Sequence, residues 1–286
     1  MQKKKRFFPL FLLFVAFILI LSALFFYPSK VELSASSFCL TATEELASAA
    51  KTKGEALKKE QEQDAGRAER ERLEKERLKK EQTLQKLLDA CPVDFEDYKN
   101  IPDVFGWIVV PGTPINYPLV CSDVDNAYYL DHDIYGNQVQ PGSIFMENYN
   151  SRDMTDSNTI FYGHNQRDRS QFGSLHSFED KEFFDTHSEI HLYLADNRIL
   201  TYQIFSCSQI SDLHILAEPD MNHHPEVFEA YLQDILKGQQ PKQFLRPNVS
   251  VTKDDKIITL ATCENGGLGN RRYVVQAVLT EIYETK

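Results

Sequence analysis

The sequence predicts a mainly β protein, a mostly antiparallel sheet of eight strands closed into a barrel with little helix around it. A membrane-spanning helix and a charged helical stalk precede the barrel. Three observations predict this. Residues 7–27 carry no charge, residues 28–90 hold a long run of strong helix formers, and from residue 91 onward eight short apolar runs alternate with turn residues. A chain of 286 residues with 42% hydrophobic content supports one good core plus extensions. One globular domain, residues 91–286, is therefore expected.

Residues 1–6 carry four positive charges, and the 21 uncharged residues after them are long enough to cross a bilayer as a helix. A cleaved signal peptide would have a shorter apolar region ending in a small-residue cleavage site, and no such site is present. Basic residues before the span, and none directly after it, place residues 1–6 in the cytoplasm and residues 28–286 outside. The expected location is the cell membrane, single-pass, with membrane lipid as a partner. Phe38 ahead of Cys39 breaks the pattern of a lipid-modified cysteine.

Residues 28–90 follow as the stalk. From Glu32 to Ala90 there are 13 Asp and Glu against 12 Lys and Arg. Pairs such as Glu71 with Lys75 sit at i,i+4, a spacing that supports a solvated helix. Leu73, Leu78, Leu84, Leu87 and Leu88 do not hold a heptad, which argues against a coiled coil. Such a helix would lift the following domain off the membrane.

Residues 91–286 keep 14 Lys and Arg against 29 Asp and Glu, a formal charge near −15. Nucleic acid is thereby excluded as a partner, and an amine-bearing or otherwise cationic partner suits the field. The predicted strands are "GWIVVPG", "INYPLV", "GSIFME", "NTIFYGH", "EIHLYLA", "RILTYQIFSCSQI", "KIITLATC" and "YVVQAVLTEIY", rich in Ile, Val, Tyr and Thr and bounded by turns. Helical punctuation is sparse. The clearest helix is "HPEVFEAYLQDILKG", with Val227, Phe228, Tyr231, Ile235 and Leu236 on one face and Gly238 as the stop.

Five cysteines, Cys39, Cys91, Cys121, Cys207 and Cys263, leave at least one free thiol. No Cys or His spacing suits a metal, and neither His187 with His191 nor "DVDNAYYLDHD" makes a metal motif. Cys207 lies within an apolar strand and reads as a small buried hydrophobe. Cys263 differs, because it ends "IITLAT" and opens onto Glu264, Asn265 and two glycines. A thiol at a strand end becomes chemistry when a histidine and a cation or amide donor stand beside it. His164 closes "NTIFYGH", where it would serve as an exposed acid/base, and Arg271 or Arg272 opens the strand after the Cys263 loop. Each of these residues also has an ordinary reading as a solvated polar side chain.

"TLATC" followed nine residues later by Arg, with "FYGH" about a hundred residues upstream, resembles the sortases, membrane-anchored cysteine transpeptidases of Gram-positive bacteria. The likeness covers most of residues 91–286. "GWIVVPGTPINYPLV", "DNAYYLDHDIYGNQVQPGSIFMENYN" and a helix inserted before "VSVTKDDKIITLATC" are most similar to class B. The resemblance implies an eight-stranded sortase barrel with Cys263 as nucleophile, His164 as general acid/base and Arg272, favoured by the match to "RYVVQA", as the cation at the substrate carbonyl. It also implies substrate contacts at Asn126, Thr262 and Glu264, and neither cofactor nor metal. Ala261 departs from the serine frequent in class B, so a hydroxyl contact is lost there.

Three functions follow from these readings. The first is transfer of a secreted protein, cut at a C-terminal sorting motif of the Asn-Pro-x-Thr-Asn kind, to a peptidoglycan amine. The second takes a pilin lysine as the amine, against which stands the absence of a lid-like segment between Ala90 and Trp107. The third is a non-catalytic surface adhesin.

Overall fold

The structure, a computed structural model, describes residues 32–91, 93–211, 221–263 and 270–285. The apolar segment 7–27 and Glu264 lie outside these residues. Among the described residues no helix is long and apolar enough to cross a membrane. The chain divides into two compact units, residues 1–79 and residues 80–286.

Most of helix α1 (Glu32–Ala90), which takes up the charged stretch, belongs to the first unit. Its described side chains up to residue 79 are almost all exposed, so local propensity and surface pairs hold it rather than a core. The pairs formed include Asp64 with Arg67 at 3.1 Å, and Glu69 with Arg72 and Glu74 with Arg77, each at 2.8 Å, all at i,i+3. Glu71 and Lys75 do not pair. Arginine's fork explains the preference: Arg77 reaches both carboxylate oxygens of Glu74, at 3.1 and 2.8 Å.

The second unit begins at Lys80, ahead of the boundary at residue 91 that composition suggested. Within it, Leu87 near the end of α1 and Cys91 just after it are buried with Tyr193 and Ile199. The Tyr193 hydroxyl donates to the Leu87 carbonyl at 2.8 Å, and Lys80 pairs with Glu281 at 2.6 Å.

The eight predicted runs all form strands: β1 (Val104–Val109), β2 (Asn116–Val120), β3 (Ile144–Met146), β4 (Asn158–Tyr162), β5 (Glu189–Leu194), β6 (Arg198–Ser211), β8 (Ile257–Cys263) and β9 (Arg271–Glu284). A two-residue strand, β7 (Phe244–Leu245), adds to β6. The sheet order is β5-β1-β2-β3-β4-β8-β9-β6-β7, and pairing of β5 with β6 closes the barrel. Closure removes the exposed edges that an open sheet would present. Two pairs, β2 with β3 and β4 with β8, are parallel, and the rest are antiparallel.

Ile258 and Leu260 of β8 face a core shared with Leu119, Phe161, Leu192 and Tyr202. The preceding Ile257 packs on the other face, under helix α3 (Pro225–Leu236), with Phe228, Tyr231 and Leu232. Burial on both faces is why this strand reads as a continuous apolar run instead of an alternating one. The sequence pattern placed Leu236 on the buried face of α3, but Leu236 is 44% exposed. Leu232 takes its place, because Phe228, Tyr231, Leu232 and Ile235 form the i, i+3, i+4, i+7 stripe. Cys207 is fully buried, as expected.

Two helical pieces between β4 and β5 depart from the expected sparse punctuation. They are a 3-10 segment, Phe172–Glu179, and a short helix α2, Lys181–Thr186. Phe172, Leu175 and Phe178 recur every third residue and are fully buried, the spacing at which a 3-10 helix eclipses its side chains. Asp180 caps α2 by accepting from the Phe183 amide at 2.8 Å.

Candidate active site

Strand pairing brings the three predicted residues to one end of the barrel. β8 and β9 are antiparallel with Cys263 directly opposite Arg272, and Arg272 Nη1 lies 3.4 Å from Cys263 Sγ. Arg272 is half-buried whereas Arg271 is exposed, which separates the two candidates. β4 runs parallel to β8 with Tyr162 opposite Ala261, and the ladder continues one step as the Gly163 amide donates to the Ala261 carbonyl at 3.2 Å. Because parallel strands end on the same side, His164 emerges beside Cys263. His164, Cys263 and Arg272 line one cavity of about 50 Å³ together with Leu130, Phe145 and Tyr162.

His164 is held in a defined orientation. Its Nε2 lies 2.7 Å from the Leu130 carbonyl. A carbonyl only accepts, so Nε2 carries a hydrogen and Nδ1 is the other nitrogen left to exchange a proton. The His164 amide donates to Gln171 Oε1 at 3.1 Å, and Gln171 Nε2 donates to the Gly142 carbonyl at 2.9 Å. Gly163 is required immediately before His164: a Cβ there would stand 2.7 Å from the buried Phe172 ring.

The nucleophile's backbone is fixed as well. Asn165 Nδ2 donates to the Cys263 carbonyl at 2.8 Å, and His176 Nε2 stands 3.4 Å from the same oxygen. His176 Nδ1 bonds Glu179 Oε1 at 2.6 Å, and its ring stacks on Tyr273 at 5.0 Å. Side chains behind the reacting atoms therefore hold the strand end that carries the thiol.

Of the weaker sequence candidates, Thr262 lines the same cavity as Cys263 and Asn126 does not. Thr262 is buried, and its hydroxyl donates to the Gly163 carbonyl at 2.8 Å, tying β8 to the segment that carries His164. The Asn126 side-chain amide nitrogen donates to Glu147, and its oxygen accepts from the Asn148 amide at 2.9 Å. Sequence reasoning missed Leu130, Phe145, Tyr162, Asn165 and His176. Asn165, next in the chain to His164, was the one with a positional signal. Burial pushes the Glu147 carboxyl and the Tyr162 hydroxyl above their ordinary values, and Glu147 raises Tyr162 further. The cavity's apolar wall thus has a buried carboxyl behind it.

A family model described as a sortase domain matches residues 108–280. The chain belongs to the sortase family. Members of this family are cysteine transpeptidases, and this sortase is similar to class B members. It is 33% identical to sortase B of Listeria monocytogenes over 57% of this chain and 63% of that protein, somewhat under two thirds of the relative's length. The structure of Clostridium perfringens sortase B superposes with a TM-score of 0.59 at 32% identity, covering 66% of this chain and all of that one. A Streptococcus pyogenes class B sortase involved in pilus biogenesis gives a TM-score of 0.58 at 27% identity, over 66% of this chain and 99% of that one. The eight-stranded closed barrel of this sortase matches the family's fold.

The arrangement supports acyl transfer. A thiolate at Cys263 is a nucleophile, His164 can move a proton, and the Arg272 guanidinium can hold negative charge that develops on a carbonyl oxygen. Each comes from a different strand end, so the barrel itself sets their spacing.

Proposed function

We propose that this sortase is a membrane-anchored, single-pass transpeptidase, with residues 1–6 cytoplasmic and the barrel extracellular, that joins secreted proteins to a peptidoglycan amine. The observation that carries the catalytic part is the Cys263–Arg272 cross-strand pair, with His164 lining the same cavity. In the first half-reaction Cys263 sulfur attacks the carbonyl of the sorting motif's scissile bond. The C–N bond breaks, the leaving amine takes a proton from His164, and a thioester remains on Cys263. In the second, an incoming amine attacks the thioester and gives a proton to His164, and the C–S bond breaks to release the thiolate. Arg272 faces the oxyanion in both. The motif is of the Asn-Pro-x-Thr-Asn kind, with Thr262 near the acyl chain, and the chemistry uses no cofactor. Support for the anchor is the uncharged run 7–27 behind four basic residues.

The pilus reading differs only in the amine, and the involvement of the similar S. pyogenes protein in pilus biogenesis keeps it in view. The test is mass spectrometry of the protein with a sorting-motif peptide library. An acyl adduct on Cys263 that Cys263→Ala abolishes supports transpeptidation, while identical behaviour of the two proteins leaves a non-catalytic adhesin. Peptidoglycan-derived amines and a pilin-type lysine peptide, added to the adduct, then separate the two acceptors by which one resolves it.

A further inference from the structure

The segment after His164 builds a second cleft of about 370 Å³, and its charge runs against that of the domain. Residues 91–286 carry a formal charge near −15, yet Arg167, Arg169 and Lys242 all line this cleft. Its carboxylate, Glu179, is already engaged, by Lys242 at 3.1 Å and by His176 Nδ1 at 2.6 Å. Arg152 and Arg198, by contrast with the cleft arginines, are paired with Asp123 and Asp196 at 2.8 and 2.6 Å. The guanidinium groups of Arg167 and Arg169 are exposed and make no ion pair or hydrogen bond among the described residues. Arg169 also holds a left-handed backbone, φ 66°, which a side-chain-bearing residue adopts at some cost. Two open arginine forks in a domain with 29 acids give a local positive field suited to a planar anion.

The position of the cleft narrows the choice of anion. Its lining includes Asn165 and His176, the two side chains that reach the Cys263 carbonyl, at 2.8 and 3.4 Å. A ligand there touches the two side chains that hold the nucleophile's carbonyl, on the segment that begins one residue after the acid/base. We infer that this cleft is the subsite for the carboxylate of the acyl acceptor, held by Arg167 and Arg169 while the acceptor's amine approaches the thioester. The inference rests on the transpeptidase reading and adds the acceptor class, an amine that also bears a carboxylate, as the free end of a peptide or amino acid does.

Triglycine, triglycinamide and inorganic phosphate, titrated calorimetrically into the full chain in detergent at low ionic strength, test this. The expected result is saturable binding of triglycine, none of triglycinamide, and about fivefold weaker triglycine binding in the Arg167→Gln/Arg169→Gln double variant, since exposed charge contacts are individually modest. Resolution of the Cys263 adduct should show the same preference for triglycine over triglycinamide, lost in the double variant. Equal binding of triglycine and its amide overturns the inference, as does undiminished triglycine binding by the double variant, or binding of phosphate alone. Absence of any Cys263 adduct overturns the transpeptidase reading itself. A normal adduct resolved without regard to the acceptor's carboxylate overturns only the subsite.

Discussion

Replacing Arg272 by glutamine removes the guanidinium whose Nη1 stands 3.4 Å from Cys263 Sγ while keeping a side chain of similar length. The effect on the fold should be small. Arg272 is half-buried at the strand end, and the backbone ladder to Cys263 and Ile210 does not use its side chain. A change within about 1 kcal/mol, a shift of about 2–4 °C in Tm, is expected. The effect on chemistry should be far larger, because one preorganised donor to an oxyanion is worth about 10²- to 10³-fold, or roughly 3–4 kcal/mol. Arg272→Lys restores the charge but only as a point donor on a different stem, so it should recover part of the rate and remain about tenfold or more below wild type. Single-turnover formation of the Cys263 adduct, followed by quenched mass spectrometry beside a thermal melt, separates the two effects. If Arg272→Gln acylates within about threefold of wild type while its Tm is unchanged, the guanidinium is not the oxyanion partner and the assigned role is wrong.

Gly163→Ala should lower Tm and slow acylation together, with an overpacking cost of about 1–3 kcal/mol, because the new methyl meets the buried Phe172 ring and displaces His164; a melt with the adduct assay checks both. Glu147 has its carboxyl raised by burial. The folded state therefore binds more protons than the unfolded state above the ordinary carboxyl range, and its contribution to stability falls as pH rises through that window. Glu147→Gln, which keeps an acceptor for Asn126, should accordingly raise Tm near neutral pH relative to wild type, with the gain vanishing in acid, as paired melts across pH would show. A fragment beginning at Lys80 should be more stable than one beginning at Val93, since the latter uncovers Tyr193 and Ile199 and removes the bond from Tyr193 to the Leu87 carbonyl; urea midpoints of the two decide it.

The strands were legible because β-branched and aromatic runs between turn residues carry their own signal, and each of the eight became part of the barrel. The Cys263 and Arg272 pairing was legible for a related reason: two strand-like runs separated by a short loop tend to pair, and their facing ends then meet. The parallel neighbours were not, since nothing in "NTIFYGH" says that it lies beside a strand a hundred residues on. The segment Phe172–Glu179 escaped because a spacing of three fits neither the strand nor the α-helix period. Leu130 contributes to the site through a backbone carbonyl, and a carbonyl has no residue-type signature. Thr262 and Asn126 show the limit from the other direction. Their polarity is visible in the sequence, but whether a hydroxyl or amide is engaged by the chain itself depends on tertiary neighbours, here Gly163 and Glu147.

The parallel seam between β4 and β8 and the antiparallel seam between β6 and β9 both join the chain before residue 212 to the chain after residue 220. A cut between those positions would leave the imidazole on one polypeptide and the thiol with its guanidinium on the other. Neither piece alone could transfer an acyl group, and mixing them would regain activity only when both ladders zip in register. Such a bisected enzyme would report reassembly by its own turnover, a property set by where the hydrogen-bonded seams fall and not by any residue at the point of cleavage.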